Sequence, residues 1–259
     1  MSIEPTPRAF FVGWDVGGWN CDKNPTSRDA VVVLDETLAI VGRPWRGNLR
    51  RQINTAANTR DWLAALFTAC AAPMPAEPCT VTLAIDTPLG FSQDLARLIT
   101  GLQQCGPVEK SNTNPYLFRR TERWLFEQGL SPLSAVKDMI GSQATKGMHV
   151  LARFAPAVRG CGVWADAQGV MTAIETYPAA CAQSARLAAM RSRYPAFGHT
   201  DHRDALTCAL VAALFAKKPA ALIGPGPDVP ASEGWIWLPA DGLDAVRQAA
   251  ADQRPSPKF

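Results

Sequence analysis

Two apolar runs in this chain close on an aspartate: Val12-Gly13-Trp14-Asp15 and Leu83-Ala84-Ile85-Asp86. A carboxylate that follows a buried strand is held by rigid backbone at the rim of a sheet, where ligands bind in open α/β folds. A third acid, Glu175, follows Ala173-Ile174, and Asp201-His202-Arg203-Asp204-Ala205-Leu206 sets two aspartates three residues apart at a helix start, hence on one face. Each has a plain structural role open to it. Asp201 suits a helix cap, Asp15 and Asp86 suit the turns at Gly17-Gly18 and Thr87-Pro88, and Glu175 suits an arginine partner. Taken together, like charges gathered at one rim repel unless a divalent cation neutralises them, and oxygen-only ligands suit Mg²⁺ or Mn²⁺. The chemistry such a set would perform is two-metal phosphoryl transfer.

The elements that must position these acids follow from hydrophobic period and breaker residues. Ala9–Val16 reads as a buried strand, Asp29–Asp35 as a second and Leu38–Val41 as a short third, a meander without an intervening helix. Thr59–Ala72 has helical spacing and stops before the proline-rich loop 73–78. Val81–Asp86 is the next strand and Gln93–Leu102 the next helix. Residues 103–147, irregular and rich in basic side chains, read as an insertion with two short helices. Gly162–Ala165 and Val170–Thr176 flank a hairpin turn, Ala179–Met190 and Asp201–Ala216 are helices, and 219–230 links to Trp235–Leu238 and a last helix, Asp241–Ala251. Arg254–Phe259 is expected to fray. The order implies one α/β domain, a mixed sheet with helices on its faces, carrying the insertion 103–147 and a C-terminal extension 219–259.

Composition bounds what this domain can be. The 259 residues are 47% hydrophobic and 19% charged, which excludes wholesale disorder. Seven cysteines without a CxxC pair suggest neither a zinc knuckle nor a dense disulfide framework, and point to a reduced, cytoplasmic setting. Acidic and proline residues at the start are wrong for a signal peptide, and the longest uncharged apolar run, Ala205–Ala216, is twelve residues against the ~20 of a membrane span. The net charge of +3 is unevenly spread: segment 101–160 has eight basic and four acidic side chains, a local +4 that suits a polyanion. Several familiar signatures fail. His202-Arg203-Asp204 lacks the later Asn of a kinase loop, Gly141–Gly147 is not a phosphate loop, and three histidines in all make a zinc site at His199 and His202 a poor reading.

At its acids the chain resembles the RNase H-like nuclease superfamily, whose pattern is an Asp on the first strand, an acid on the fourth and one or two acids on the last core helix. Asp15 in FVGWDVGG and Asp86 in LAIDTPLGF match the first two positions, and DHRDALTCAL resembles the D-x-x-D-A-L helix of the superfamily's Holliday-junction resolvases. Within the superfamily the chain is similar to the domain-of-unknown-function family number 429, described as predicted nucleases of that fold. That likeness rests on AIDTPLG, Arg119-Arg120-Thr121-Glu122, Ile174-Glu175-Thr176-Tyr177-Pro178-Ala179, the DAL helix and Glu233-Gly234-Trp235-Ile236, which together span residues 10–238. The Arg-Thr-Glu site departs from the Arg-x-Thr-Asp of relatives but keeps the carboxylate.

The resemblance implies a mixed five-stranded RNase H-like sheet flanked by helices and a metal-dependent hydrolase of phosphodiester bonds in nucleic acid. Asp15 would bridge two Mg²⁺ or Mn²⁺ ions, with Asp86 on one side and Asp204, assisted by Asp201, on the other. Glu175 would be a further ligand or orient the attacking water. Arg119, Arg120 and Lys146 would neutralise phosphates, and Trp124 beside them would touch substrate, the insertion acting as a clamp. Two other readings stay open. One is a non-catalytic binding module of the same fold. The other is an ATP-dependent phosphotransferase of the actin-like or sugar-kinase type, suggested by Asp15-Val16-Gly17-Gly18.

Overall fold

The run Arg-Ala-Phe-Phe-Val-Gly-Trp-Asp forms β1 (Arg8–Asp15), and its residues Phe10–Trp14 are buried whichever face they point to. A strand covered on both sides reads as a continuous apolar run rather than an alternating one. The computed structural model of the protein describes residues 7–76 and 78–252. β2 (Asp29–Leu34) runs antiparallel to β1, and β3 (Trp45–Gly47) antiparallel to β2. Two helices follow, α1 (Arg50–Thr55) and α2 (Thr59–Ala69). The Asn58 side chain caps α2 by accepting from the Asp61 N–H, and α2 buries Trp62, Leu63, Leu66 and Phe67 on one stripe. β4 (Cys79–Asp86) then pairs parallel with β1 along its whole length.

Beyond β4 come α3 (Gln93–Gly101), α4 (Arg120–Glu127) and α5 (Gly141–Phe154). A hairpin of β5 (Ala157–Gly160) and β6 (Val163–Ala165) leads into β7 (Met171–Glu175), which pairs antiparallel with β6 and parallel with β4. α6 (Ala185–Arg191) and α7 (Thr200–Lys217) follow. A two-stranded sheet of β8 (Leu222–Ile223) and β9 (Leu238–Pro239) leads to α8 (Ala240–Asp252). The seven-stranded sheet has the order β3-β2-β1-β4-β7-β6-β5.

Helices cover both faces. Phe10, Val12, Trp14, Val33, Leu83 and Ile85 form one core with residues of α1, α2 and α5. Phe11, Val32, Leu34, Ala84 and Ile174 form the other with α6 and α7. The alternation of consecutive strand residues between the two cores is the period of two expected of a pleated strand.

The α/β class is as the sequence leads one to expect, and four details differ. The sheet has seven strands rather than five, because the β5–β6 hairpin extends it past β7. Leu38–Val41 does not form the third strand: only Ile40 makes a bridge, to Leu34, between left-handed backbone at Leu38 and at Gly42, and the strand beside β2 is Trp45–Gly47. The last residues of the expected insertion are the first turns of α5, whose Ala144, Gly147, Val150, Leu151 and Phe154 are buried. Ala179–Ser184 is a run of turns, and α6 starts only after Ser184, whose hydroxyl accepts from the Leu187 N–H. Arg254–Phe259 lies outside the described residues. No helix among the described residues is long and apolar enough to cross a membrane.

Candidate active site

Asp15 and Asp86 end β1 and β4 and are direct partners in the parallel register. Residues level with one another on neighbouring strands project to the same face, so the two side chains share one end of the sheet. Asp204 approaches from α7, near enough to act on both carboxyls but outside the lining of the cavity at the strand ends. That helix lies unusually close to β1 because residue 13 is glycine: a Cβ there would fall 1.9 Å from the Ala205 carbonyl oxygen and 2.3 Å from the Ala209 nitrogen. The apolar run Ala205–Leu214 packs α7 against the sheet, and the acids at its N-terminal end stand over the strand ends.

The electrostatics record this gathering. Burial pushes the Asp15 carboxyl well above the ordinary aspartate range, and repulsion by Asp86, Asp201, Asp204 and Asp29 adds to the shift. Asp86 is raised by burial and then by Asp204 and Glu175. Asp204 is raised by burial, with Asp201 adding to the shift and Arg203 opposing it. Among the described residues, the side chains of Asp15, Asp86 and Asp204 have no hydrogen-bond or ion-pair partner. Carboxylates in this state either hold a proton or take up a cation.

Two buried ion clusters and one part-buried ion pair pin the segments that carry these acids. After β1, Lys146 of α5 donates to Asp29 and to the carbonyls of Gly17 and Gly18, while Asp29 also accepts from Trp14 Nε1 and the N–H groups of Gly17 and Leu49. After β4, Glu175 accepts from the Leu89 N–H and from two nitrogens of Arg119, which also bonds Glu122. Burial raises the Glu122 carboxyl against the opposing pull of Arg119. At the start of α7, Asp201 accepts from Arg46 Nε at 2.7 Å and from the Arg28 N–H at 3.0 Å.

A cavity of about 150 Å³ opens where the strands end, lined by Asp15, Asp86, Thr87, Glu175, Tyr177 and Gln143 among others. The Thr87 hydroxyl is buried there with no hydrogen-bond partner. Tyr177 and Gln143, at this cavity, escape sequence reasoning; Tyr177 alone had a signal, standing two residues past Glu175 in the same segment.

The structure thus brings Asp15, Asp86 and Asp204 to one end of the sheet and gives the other site residues different surroundings. Glu175 lines the cavity with its carboxylate already paired to Arg119. Arg119 and Lys146, read from sequence as phosphate ligands, are 2% and 0% exposed and are paired inside the protein. Arg120 and Trp124 sit together on a separate surface groove over α4. Asp29 was given no site role from sequence and Glu233 entered only as part of the Glu233-Gly234-Trp235-Ile236 motif, although Asp29 opens an apolar strand where an unpaired charge is unfavourable, a signal that it has a buried partner. Asp166 accepts from the N–H groups of Gln168 and Met171 within its own hairpin, the work of a turn residue.

Among the described residues no group of three or more His, Cys, Asp or Glu side chains lies close enough together to hold a metal ion. Compared with protein-family models, with curated proteins and with solved structures, the chain finds no match.

Proposed function

We propose that the chain is a metal-dependent nuclease of RNase H-like fold, hydrolysing phosphodiester bonds at the strand ends of β1 and β4. The observation that carries this reading is the facing of Asp15 and Asp86 in one register, with Asp204 close enough to raise Asp86 and none of the three ion-paired to a basic side chain among the described residues. Support also comes from placement: an Asp on the first strand, an Asp on the fourth, and Asp201 and Asp204 on the long core helix are where the resemblance asks for acids.

The residues suit a divalent cation. The donor set is oxygen only, the carboxyls of Asp15 and Asp86 are raised by burial and by neighbouring acids, and the orphaned Thr87 hydroxyl adds an unsatisfied oxygen beside them. Asp15, Asp86 and Asp204 would hold Mg²⁺ or Mn²⁺. When bound, such an ion lowers the pKa of water and stabilises a leaving oxygen. The chain's own part is to fix the acids. Lys146 and Asp29 lock the turn after Asp15, Arg119 and Glu175 lock the Thr87–Leu89 turn after Asp86, and Arg46 with Asp201 sets the start of the helix bearing Asp204. Glu175, held by Arg119, is a positioning residue at the cavity wall.

The test is hydrolysis of single-stranded and duplex DNA and RNA with Mg²⁺ or Mn²⁺. The Asp15→Asn variant should fold normally and lose about 10³-fold in rate, the loss of several kcal/mol of charge stabilisation. Cleavage by Asp15→Asn at the wild-type rate would sink the proposal.

A further inference from the structure

The surface groove over α4 contains a charge the protein does not satisfy. Arg123 lines it together with Arg120, Trp124 and Trp235, in a pocket of about 590 Å³, the size range of small-ligand sites. Nε and Nη2 of Arg123 are both buried and donate to no described residue. These two nitrogens share one edge of the guanidinium, the edge that meets two oxygens of a phosphate or carboxylate side by side. A cationic fork enclosed without an acceptor is unfavourable, and buried polar groups in native proteins are almost always paired.

Two neighbours define what would supply the acceptors. Arg120, three residues earlier on the same helix face, is exposed; its backbone N–H bonds Glu233, and its guanidinium bonds no described residue. Trp124 is half-buried and leans on Trp235 with ring centroids 5.2 Å apart. Trp235 is itself buried and anchored by its indole N–H to the Ile223 carbonyl, so the aromatic backing is rigid. Exposed Glu127 and Asp228 stand on the same rim and oppose a run of phosphates. Consecutive residues of one segment line the groove and the carboxylate cavity, Trp235 the one and Ile236 the other.

We infer that this groove is a subsite for one nucleotide unit of a single-stranded nucleic acid, with its phosphate on Arg123 and Arg120 and its base on Trp124. The choice of ligand rests on the nuclease reading. Contact between this buried edge and a phosphate requires the Arg123 side chain to turn about its outer bonds, and stacking on an aromatic face is tolerant of base identity.

The experiment is calorimetric titration of the full chain in EDTA, where no hydrolysis intervenes, with a short single-stranded oligothymidylate. Thymidine monophosphate and inorganic phosphate serve as competitors. Arg123→Gln and Arg123→Lys should each weaken oligothymidylate binding about tenfold or more, the lysine keeping the charge but not the fork, and Trp124→Ala should weaken it about as much. Melting temperatures at or above wild type for the Arg123 variants show that the fold is intact. Wild-type affinity in both Arg123 variants overturns the subsite, as does inorganic phosphate competing as well as the mononucleotide. The two proposals fail separately. Arg123-dependent binding without any Mg²⁺-dependent cleavage removes the nuclease and leaves the subsite; Asp15-dependent cleavage with Arg123-independent binding does the reverse.

Discussion

Lys146 reaches from the second turn of α5 to Asp29 at the start of β2, and both side chains are completely buried. Two charges withdrawn from water hold each other, and removing either strands the other. Lys146→Met should therefore destabilise the protein by about 3–5 kcal/mol in urea denaturation. Pairing it with Asp29→Asn should recover part of that loss. A Lys146→Met protein as stable as wild type would show that Asp29 is not charged in the native state.

Asp15 and Asp86 hold their protons more tightly than ordinary aspartates, through burial first and neighbouring carboxylates second. Between the ordinary aspartate value near 4 and the raised native value, the folded state keeps protons that the unfolded chain has released. Without divalent cation the contribution of these groups is thus most favourable at low pH and is lost as pH rises through the native values. Asp86→Asn should melt a few degrees above wild type at about pH 7, with the gap narrowing as pH falls toward about 4. An equal melting temperature at neutral pH would contradict the repulsion.

Millimolar Mg²⁺ should raise the melting temperature of the wild-type protein, by as much as about 2.7 kcal/mol of stability at a hundredfold excess over Kd, and leave Asp86→Asn unchanged. A thermal-shift series in both proteins measures this. Equal responses would place the cation elsewhere.

The two acids at the head of α7 should respond oppositely to removal. Asp201→Ala takes the acceptor from Arg46 and from the Arg28 N–H and should lower stability by about 1–3 kcal/mol. Asp204→Asn relieves a raised carboxyl and should leave stability equal or higher, while reducing cleavage. Parallel denaturation curves of the two variants decide it.

Gly13→Ala probes the approach of α7. The added methyl would collide with backbone of α7, so the helix must retreat, at a cost of about 1–3 kcal/mol or more. Mg²⁺ stabilisation should weaken with it, since Asp204 moves with the helix. A variant with wild-type stability and metal response would mean that the helix moves without disturbing the acids.

The strands that carry Asp15 and Asp86 were legible because central strands read as apolar runs, and an acid closing such a run stands out. Asp204 was legible through its helix. The partners of the buried charges were not. Arg119 and Lys146 lie in a stretch whose positive excess suggests a solvated face, and the carboxylates that claim them are remote in sequence. For Lys146 one clue existed: it falls among Ala144, Gly147, Val150 and Leu151, on the apolar side of its helix. β5, four mostly exposed residues at a sheet edge, carries no hydrophobic signal at all. Leu38–Val41 has the composition of a strand but is too tightly bounded by turns to pair as one.

The parallel register of β1 with β4 also bears on the order of folding. Parallel neighbours cannot be joined by a tight hairpin, so Asp86 meets Asp15 only after the chain between them, including β2, β3, α1 and α2, has closed as a loop. α7 comes later still in the chain. The repulsive cluster is therefore absent from any early, locally structured ensemble and forms only with the last long-range contacts. Neutralising Asp15 or Asp86 should then slow unfolding more than it speeds refolding, leaving the rate-limiting nucleus to the apolar meander of β1 and β2.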